Sequence, residues 1–258
     1  MKVRIGTRGS QLALWQANEA ARRLRDAGAE TEIVTVKTTG DQRHDVSLAT
    51  IGGKGLFVKE LEEALQRGTI DIAVHSLKDV PSIVSEEFAL AAFLERADPR
   101  DAWVHPEGKP IAEMPEGATI GTSAPRRRAQ LLERFPHLRI EDIRGNVDTR
   151  IAKARDGRYA GIVLASAGMT RLGRASEITS WFSVDEMLPA AGQGIVAVEC
   201  LRGNESIART INHAPTEAAA LRERGVLQKF GTQLDCYSAV AVHDDGATLR
   251  AFLSNGTR

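Results

Sequence analysis

The feature that most constrains this chain is a strand that runs into a glycine turn and then a helix, met near the start and again near residue 118. The first copy is Val3-Arg-Ile-Gly-Thr-Arg8, and the second is Ala118-Thr-Ile-Gly-Thr-Ser123. Each leads into a helical stretch containing Gln-Leu, at Gln11-Leu12 and Gln130-Leu131. Ser10 is placed to cap a helix running to about Ala27, ended by Gly28, with Leu12, Trp15 and Leu24 on its apolar stripe. The β-branched run Thr31–Val36 reads as a strand, Gly55–Arg67 as a helix, Ile70–Val74 as a buried strand and Phe88–Leu94 as another. After the restart, Arg139–Ile143 reads as a strand, Val147–Arg155 as a helix and Tyr159–Ala165 as a strand. Alternation of this kind implies a parallel or mixed sheet with helices on both faces.

Two such lobes follow from the restart. The polar stretch Glu95–Arg100 reads as the crossover, and Gly192–Cys200 as a strand returning to the first lobe. The expected domains are 1–95 with 193–212, then 96–192, then a small α+β unit at 213–258. In that last unit Thr216–Phe230 reads as a helix, and Ser238–His243 and Leu249–Leu253 as strands about an Asp244-Asp245-Gly246 turn. It is too small to be stable alone and is expected to lean on the lobes. Two lobes with two crossings predict a hinged cleft, with ligands at the C-terminal ends of strands.

Formal net charge is zero, so recognition of anions must come from local clusters rather than a global field. Arginines do cluster, at Thr122-Ser123-Ala124-Pro125-Arg126-Arg127-Arg128 and at Arg144-Gly-Asn-Val-Asp-Thr-Arg150. Both follow a strand and open a helix, where free amides and the helix dipole favour an anion. Pro125 suits a first helical position, and Arg126 and Arg127 add forked donors matched to carboxylates. Arg8 with Ser10 offers a similar corner, and Arg171 follows a further strand end. Any one of these alone reads as a solvated charge. Nucleic-acid binding through Arg126–Arg128 is disfavoured by zero net charge and 5% aromatics.

Ile51-Gly-Gly-Lys54-Gly-Leu-Phe57 is a glycine-rich approach to a helix, a connection or a lid, without the pattern of a phosphate-binding loop. Asp79 follows a buried strand and precedes Val80-Pro81; alone it reads as a turn former, and His75 as a packing residue. Of the two cysteines, Cys200 ends an apolar strand and reads as a buried structural thiol. Cys236 lies in a loop opening ahead of a β-branched strand. The spacing of the cysteines makes no metal pattern, and no metal is expected. Few cysteines, no leader pattern at Met1-Lys-Val-Arg-Ile-Gly6 and no long apolar run predict a cytoplasmic protein with no membrane partner.

Taken together, the segments resemble the porphobilinogen deaminase (hydroxymethylbilane synthase) family from residue 3 to about 254. The most specific are Arg8-Gly-Ser-Gln-Leu-Ala-Leu-Trp-Gln-Ala17, Gly52-Gly-Lys-Gly-Leu-Phe-Val-Lys-Glu-Leu61, Val74-His-Ser-Leu-Lys-Asp-Val-Pro81, Arg144-Gly-Asn-Val147 and Leu188-Pro-Ala-Ala-Gly-Gln-Gly194. The resemblance implies two lobes of the type II periplasmic-binding-protein kind with a small third domain. It implies an enzyme that condenses four porphobilinogen molecules head to tail, releasing ammonia, on a dipyrromethane cofactor thioether-linked at Cys236. Asp79 matches the family's catalytic aspartate. Lys78, Ser76, Thr122, Ser123, Arg126, Arg127, Arg144 and Gln193 match cofactor-binding positions, and Arg8, Ser10, Lys54, Arg150 and Arg171 substrate-binding ones. A monomer is expected. The arginines then answer the acetate and propionate on every pyrrole. The cysteine loop, Gly231-Thr-Gln-Leu-Asp-Cys236, is two residues longer than the family's usual one, with Ala239 where Pro is common; Ala124 replaces a serine.

Overall fold

A computed structural model describes residues 2–37, 58–230 and 239–254. Lys54, the rest of the Gly52–Gly55 stretch and Cys236 lie outside the described residues. The chain forms two compact units, one of residues 1–97 and 195–228, the other of 98–194 and 229–258.

The first unit is a five-stranded sheet of order β2-β1-β3-β10-β4. Its strands are β1 (Lys2–Thr7), β2 (Glu30–Thr35), β3 (Ile72–Ser76), β4 (Phe88–Phe93) and β10 (Val196–Leu201). β1 runs parallel to β2 and β3, and β10 is antiparallel to β3 and β4. The second unit repeats the plan in the order β7-β6-β8-β5-β9. There β6 (Thr119–Gly121) runs parallel to β7 (Arg139–Glu141) and β8 (Gly161–Ala165). β5 (Asp101–Val104) is antiparallel to β8 and β9 (Ser180–Trp181). The short sequence echo is thus a repeat of topology. In each sheet the fourth strand is the antiparallel one: β10 enters the first unit on the chain's return from the second, and β5 opens the second. β5 begins directly after the expected crossover, Glu95–Arg100, and is not among the strands expected from the sequence.

Helices cover both faces of each sheet. Helix α1 (Gln11–Asp26) lays Ala17, Ala20, Ala21 and Leu24 on Val3, Ile5, Ile72 and Val74. Trp15, expected on that stripe, is 38% exposed instead. The buried face is mostly alanine, which lets the helix come close to the sheet. Helix α2 (Lys59–Gln66) packs Leu61 and Leu65 on Ile70, Ala73 and Phe88 across the other face. In the second unit α3 (Pro125–Arg134) brings Leu131 to Ile120, Trp103 and Val163. Helix α4 (Val147–Arg155) brings Ile151 to Val104, Ile162 and Leu164 on the opposite face. The matched glycines have a matched purpose. A Cβ on Gly6 would overlap Ile70, and one on Gly121 would come within 3.0 Å of both Ile162 and Tyr159.

The C-terminal residues divide between the units. After two short helices, α5 (Ser166–Arg171) and α6 (Ser206–Arg209), helix α7 (Ala214–Phe230) belongs to the first unit through Gln228, where Glu223 pairs with Arg96 at 2.6 Å. The hairpin β11 (Ala239–Asp244) and β12 (Leu249–Ser254) groups with the second, where Val242 N–H donates to the Pro189 carbonyl. Its turn is closed by the Asp245 carboxylate, which accepts from the amides of Ala247 and Thr248.

Candidate active site

In the first unit the candidate residues sit at the C-terminal ends of β1 and β3. Arg8 leaves β1 half-buried, and Ser10 caps α1 by accepting from Ala13 N–H at 3.3 Å. The cap satisfies one of the orphan amides of the helix start and leaves the Ser10 hydroxyl hydrogen to donate elsewhere. Ser76 ends β3, and its hydroxyl bonds the side-chain amide of Gln16 at 2.8 Å. Gln16 is buried one helical turn beyond Leu12. A polar residue on an otherwise apolar stripe was the available signal for it.

A single 3₁₀ turn, Leu77–Asp79, follows β3. It forms because Leu77 and Val80 are buried on either side, Leu77 against Phe93, Ile195 and Ala220. Leu77 N–H donates to the Ile195 carbonyl, and Val80 N–H back to Leu77. Lys78 and Asp79 are left half-buried. Among the described residues the Asp79 carboxylate has neither a hydrogen-bond donor nor a cation in ion-pair range. The packed neighbours thus fix the backbone of a carboxylate that has no described partner.

His75 points away from this turn and into the interior. Its Nε2 lies 3.0 Å from Glu199 Oε2, both side chains buried, and the other oxygen of Glu199 has no partner among the described residues. The packing role expected of His75 is borne out.

In the second unit two sets of arginines differ in kind. Arg126 and Arg127, on the first turn of α3, are both 5% exposed and converge on Asp101, which is fully buried on β5. Arg126 Nη1 donates to Asp101 Oδ2 at 2.6 Å and to the Leu188 carbonyl at 3.0 Å. Its Nη2 donates to Asp101 Oδ1 and to Gln193 Oε1, both at 3.0 Å. Arg127 directs Nε and Nη2 to Asp101 Oδ1 and Nη1 to the Val163 carbonyl. Gln193 closes the network by donating to Asp101 at 2.9 Å and to the Pro99 carbonyl at 2.7 Å. Burial would raise the Asp101 carboxyl, but the two guanidiniums override it and hold it well below the usual carboxylate range. Burial pushes Arg127 down. The carboxylate these forks meet is therefore the protein's own, a difference from the expectation that they open onto a ligand.

Arg144, Arg150 and Arg171 are half-buried instead, Arg144 just before α4, Arg150 in the first turns of α4 and Arg171 at the end of the short helix Ser166–Arg171. Asn146 caps α4 by accepting from Thr149 N–H at 2.9 Å, which fixes the Arg144–Arg150 turn. Arg150 Nε donates to the Gly145 carbonyl, and Arg171 Nη2 to that of Gly194. Gly145 has φ +111, reserved for glycine, and its missing Cβ leaves the space occupied by Thr149. Helix α3 has no side-chain cap and no acidic residue in its first turn, with Thr122 and Ser123 just before it. Ser123 Oγ bonds both the carbonyl and the amide of Ile143, tying the end of β6 to the chain beyond β7. An uncapped helix start and three half-buried arginines are a donor set suited to carboxylates, the groups a dipyrromethane carries.

Two mixed five-stranded sheets of matching order, each with an antiparallel fourth strand, define an α/β protein of the type II periplasmic-binding-protein class. The methionine-binding protein MetQ shares this fold with a TM-score of 0.52 at 13% identity, over 87% of this chain and 93% of that one. Immunogenic lipoprotein A from Vibrio vulnificus does so with a TM-score of 0.51 at 12% identity, over 86% and 99%. Residues 3–209 match the family described as porphobilinogen deaminase, dipyromethane cofactor binding domain. The porphobilinogen deaminase of Geobacter sulfurreducens is 47% identical over 100% of this chain and 83% of its own length. That of Geotalea daltonii is 49% identical over 88% and 72%. The chain belongs to the porphobilinogen deaminase family.

Proposed function

We propose that this chain joins four porphobilinogen molecules into the linear tetrapyrrole hydroxymethylbilane, releasing ammonia at each addition, with Asp79 as the catalytic carboxylate. The observation that carries this reading is the Asp79 turn. A half-buried carboxylate on a fixed backbone, with no described donor or cation of its own, is available to a cation that forms during reaction. Loss of the substrate's amine leaves positive charge on the pyrrole. Asp79 accepts a hydrogen bond from the pyrrole N–H and stabilises that charge where water is scarce.

The dipyrromethane cofactor, carried as a thioether on Cys236, supplies the primer on which the product is started. Arg144, Lys78 and Ser76 bind its polar groups. Thr122 and Ser123 stand at the uncapped start of α3, where amides receive a carboxylate. Arg126, Arg127 and Gln193 serve the cofactor's side of the site through the Asp101 network, which fixes the start of α3 and the Leu188–Gly194 turn. Arg8, Ser10, Lys54, Arg150 and Arg171 receive the acetate and propionate of incoming substrate; the Ser10 hydroxyl donates while its oxygen caps the helix. The working divisions are 1–95 with 193–212, then 96–192, then a small domain at 213–258. We propose further that the protein is a cytoplasmic monomer acting on a small molecule, with neither nucleic acid nor membrane as partner.

Asp79→Asn tests the central claim, since it keeps shape and removes charge. The kcat should fall by about two to three orders of magnitude, with KM changed far less. A variant within a few-fold of the parent rate removes Asp79 from the mechanism.

A further inference from the structure

Arg224 lies on α7, far from Asp79 in sequence, and is 6% exposed. No carboxylate stands in ion-pair range of it among the described residues. Its guanidinium is spent on backbone: Nη2 donates to the Pro81 carbonyl at 2.7 Å and the Ser82 carbonyl at 3.0 Å, and Nη1 to Val80 at 3.5 Å. Those are the three carbonyls immediately after Asp79. One helical turn later, on the same face of α7, Gln228 Nε2 donates to the Ser82 carbonyl at 2.8 Å.

A buried guanidinium without an ion pair is expensive, and burial lowers the Arg224 pKa accordingly. The charge is supported at longer range by Glu199, itself bonded to His75 on the strand that leads into the Asp79 turn. A lysine could not do the same work. Its ammonium is a point donor, whereas the planar fork reaches successive carbonyls at once. The Asp79 turn is thus gripped from two sides. Leu77 and its bond to Ile195 hold it before the aspartate, and Arg224 holds it after.

We infer that Arg224 is a positioning residue for catalysis, a three-carbonyl clamp from α7 that sets the Asp79 carboxylate. The inference rests on Asp79 being catalytic. It gives α7 a part in the chemistry.

The test is a double-mutant cycle on the holoenzyme, with the cofactor mass checked in every variant. Arg224→Gln should keep the cofactor, leave the porphobilinogen KM within about threefold and lower kcat about tenfold to a hundredfold, the scale of a small misplacement of a reacting group. Arg224→Lys should recover part of the rate, and Gln228→Ala should cost about twofold to threefold. In an Asp79→Asn background Arg224→Gln should cost nothing further, because the clamp acts only through that carboxylate. A multiplicative loss in the double variant, or a kcat within threefold of the parent in Arg224→Gln, overturns the clamp. If Asp79→Asn alone is fully active, the Asp79 assignment fails first and takes the clamp with it. Should Arg224→Gln not accumulate as folded protein, Arg224→Lys takes its place in the same cycle with the same two refuting outcomes.

Discussion

Replacing Asp101 by asparagine removes one charge from a buried cluster of three. The carboxylate is fully buried, and both guanidiniums that bond it are 5% exposed. Without its charge two cations remain in the interior with only neutral acceptors, the new amide oxygen and the Gln193, Leu188 and Val163 oxygens. Breaking a buried ion pair by removing one partner costs about 3–5 kcal/mol, against about 0–1 for an exposed pair. At about 4 °C per kcal/mol, where the ranges for smaller and larger domains meet, the second unit should melt roughly 12–20 °C lower. Trp103, fully buried in the same unit, reports its unfolding by fluorescence. The exposed pair Lys2–Glu32 in the first unit is the control, and Glu32→Gln should change little. The pH dependence has a definite sign. Because the folded Asp101 carboxyl titrates below its unfolded value of about 3.9, its contribution is complete above that pH and disappears only as acid protonates the folded state. From about pH 5 to 8 the deficit of Asp101→Asn should therefore be constant, closing only in stronger acid. A deficit under about 1 kcal/mol at neutral pH would show that the arginines find other partners, and would refute the cluster as a structural centre.

Cys236→Ser should fold without the covalent cofactor mass, while Cys200→Ser should retain it; burial pushes the Cys200 thiol up to about 11, so it holds its proton at neutral pH. An adduct lost from the second variant and kept by the first would reverse the assignment. Gly161→Ala should destabilise the second unit by about 1–3 kcal/mol or more, because the new methyl would overlap the rigid, fully buried Trp103 ring. An unchanged melting temperature would mean that the ring has room to shift.

Most of the fold was legible because its signals are local. Helix α4 keeps its expected bounds, Val147–Arg155, since Asn146 caps it and the short strands β7 and β8 bound it on either side. The return strand begins at Val196 rather than Gly192, because Gly192 and Gly194 take positive φ and bracket a buried Gln193. β5 was hidden for a different reason. Asp101 looks like the end of a polar linker until the arginines that neutralise it, 25 and 26 positions later, are folded onto it. The same pairing separates Arg126 and Arg127 from Arg144, Arg150 and Arg171, which no spacing rule distinguishes. Asp79 could be located from the sequence, but its lack of a described partner and the grip of Arg224 are long-range facts.

The fourth strand of the first sheet carries a consequence for synthesis. β10 lies between β3 and β4, so neither has its inner neighbour until residue 201 has been made. By then every described strand of the other sheet has been made. At about 5–20 residues per second a ribosome needs roughly 5–20 s to travel from β4 to β10. During that interval the nascent chain carries an open β3 edge, Ile72–Ser76, among its most apolar stretches. The sheet whose strands are encoded first is thus the sheet completed last, and a fragment ending at Ala97 should expose that edge permanently and aggregate.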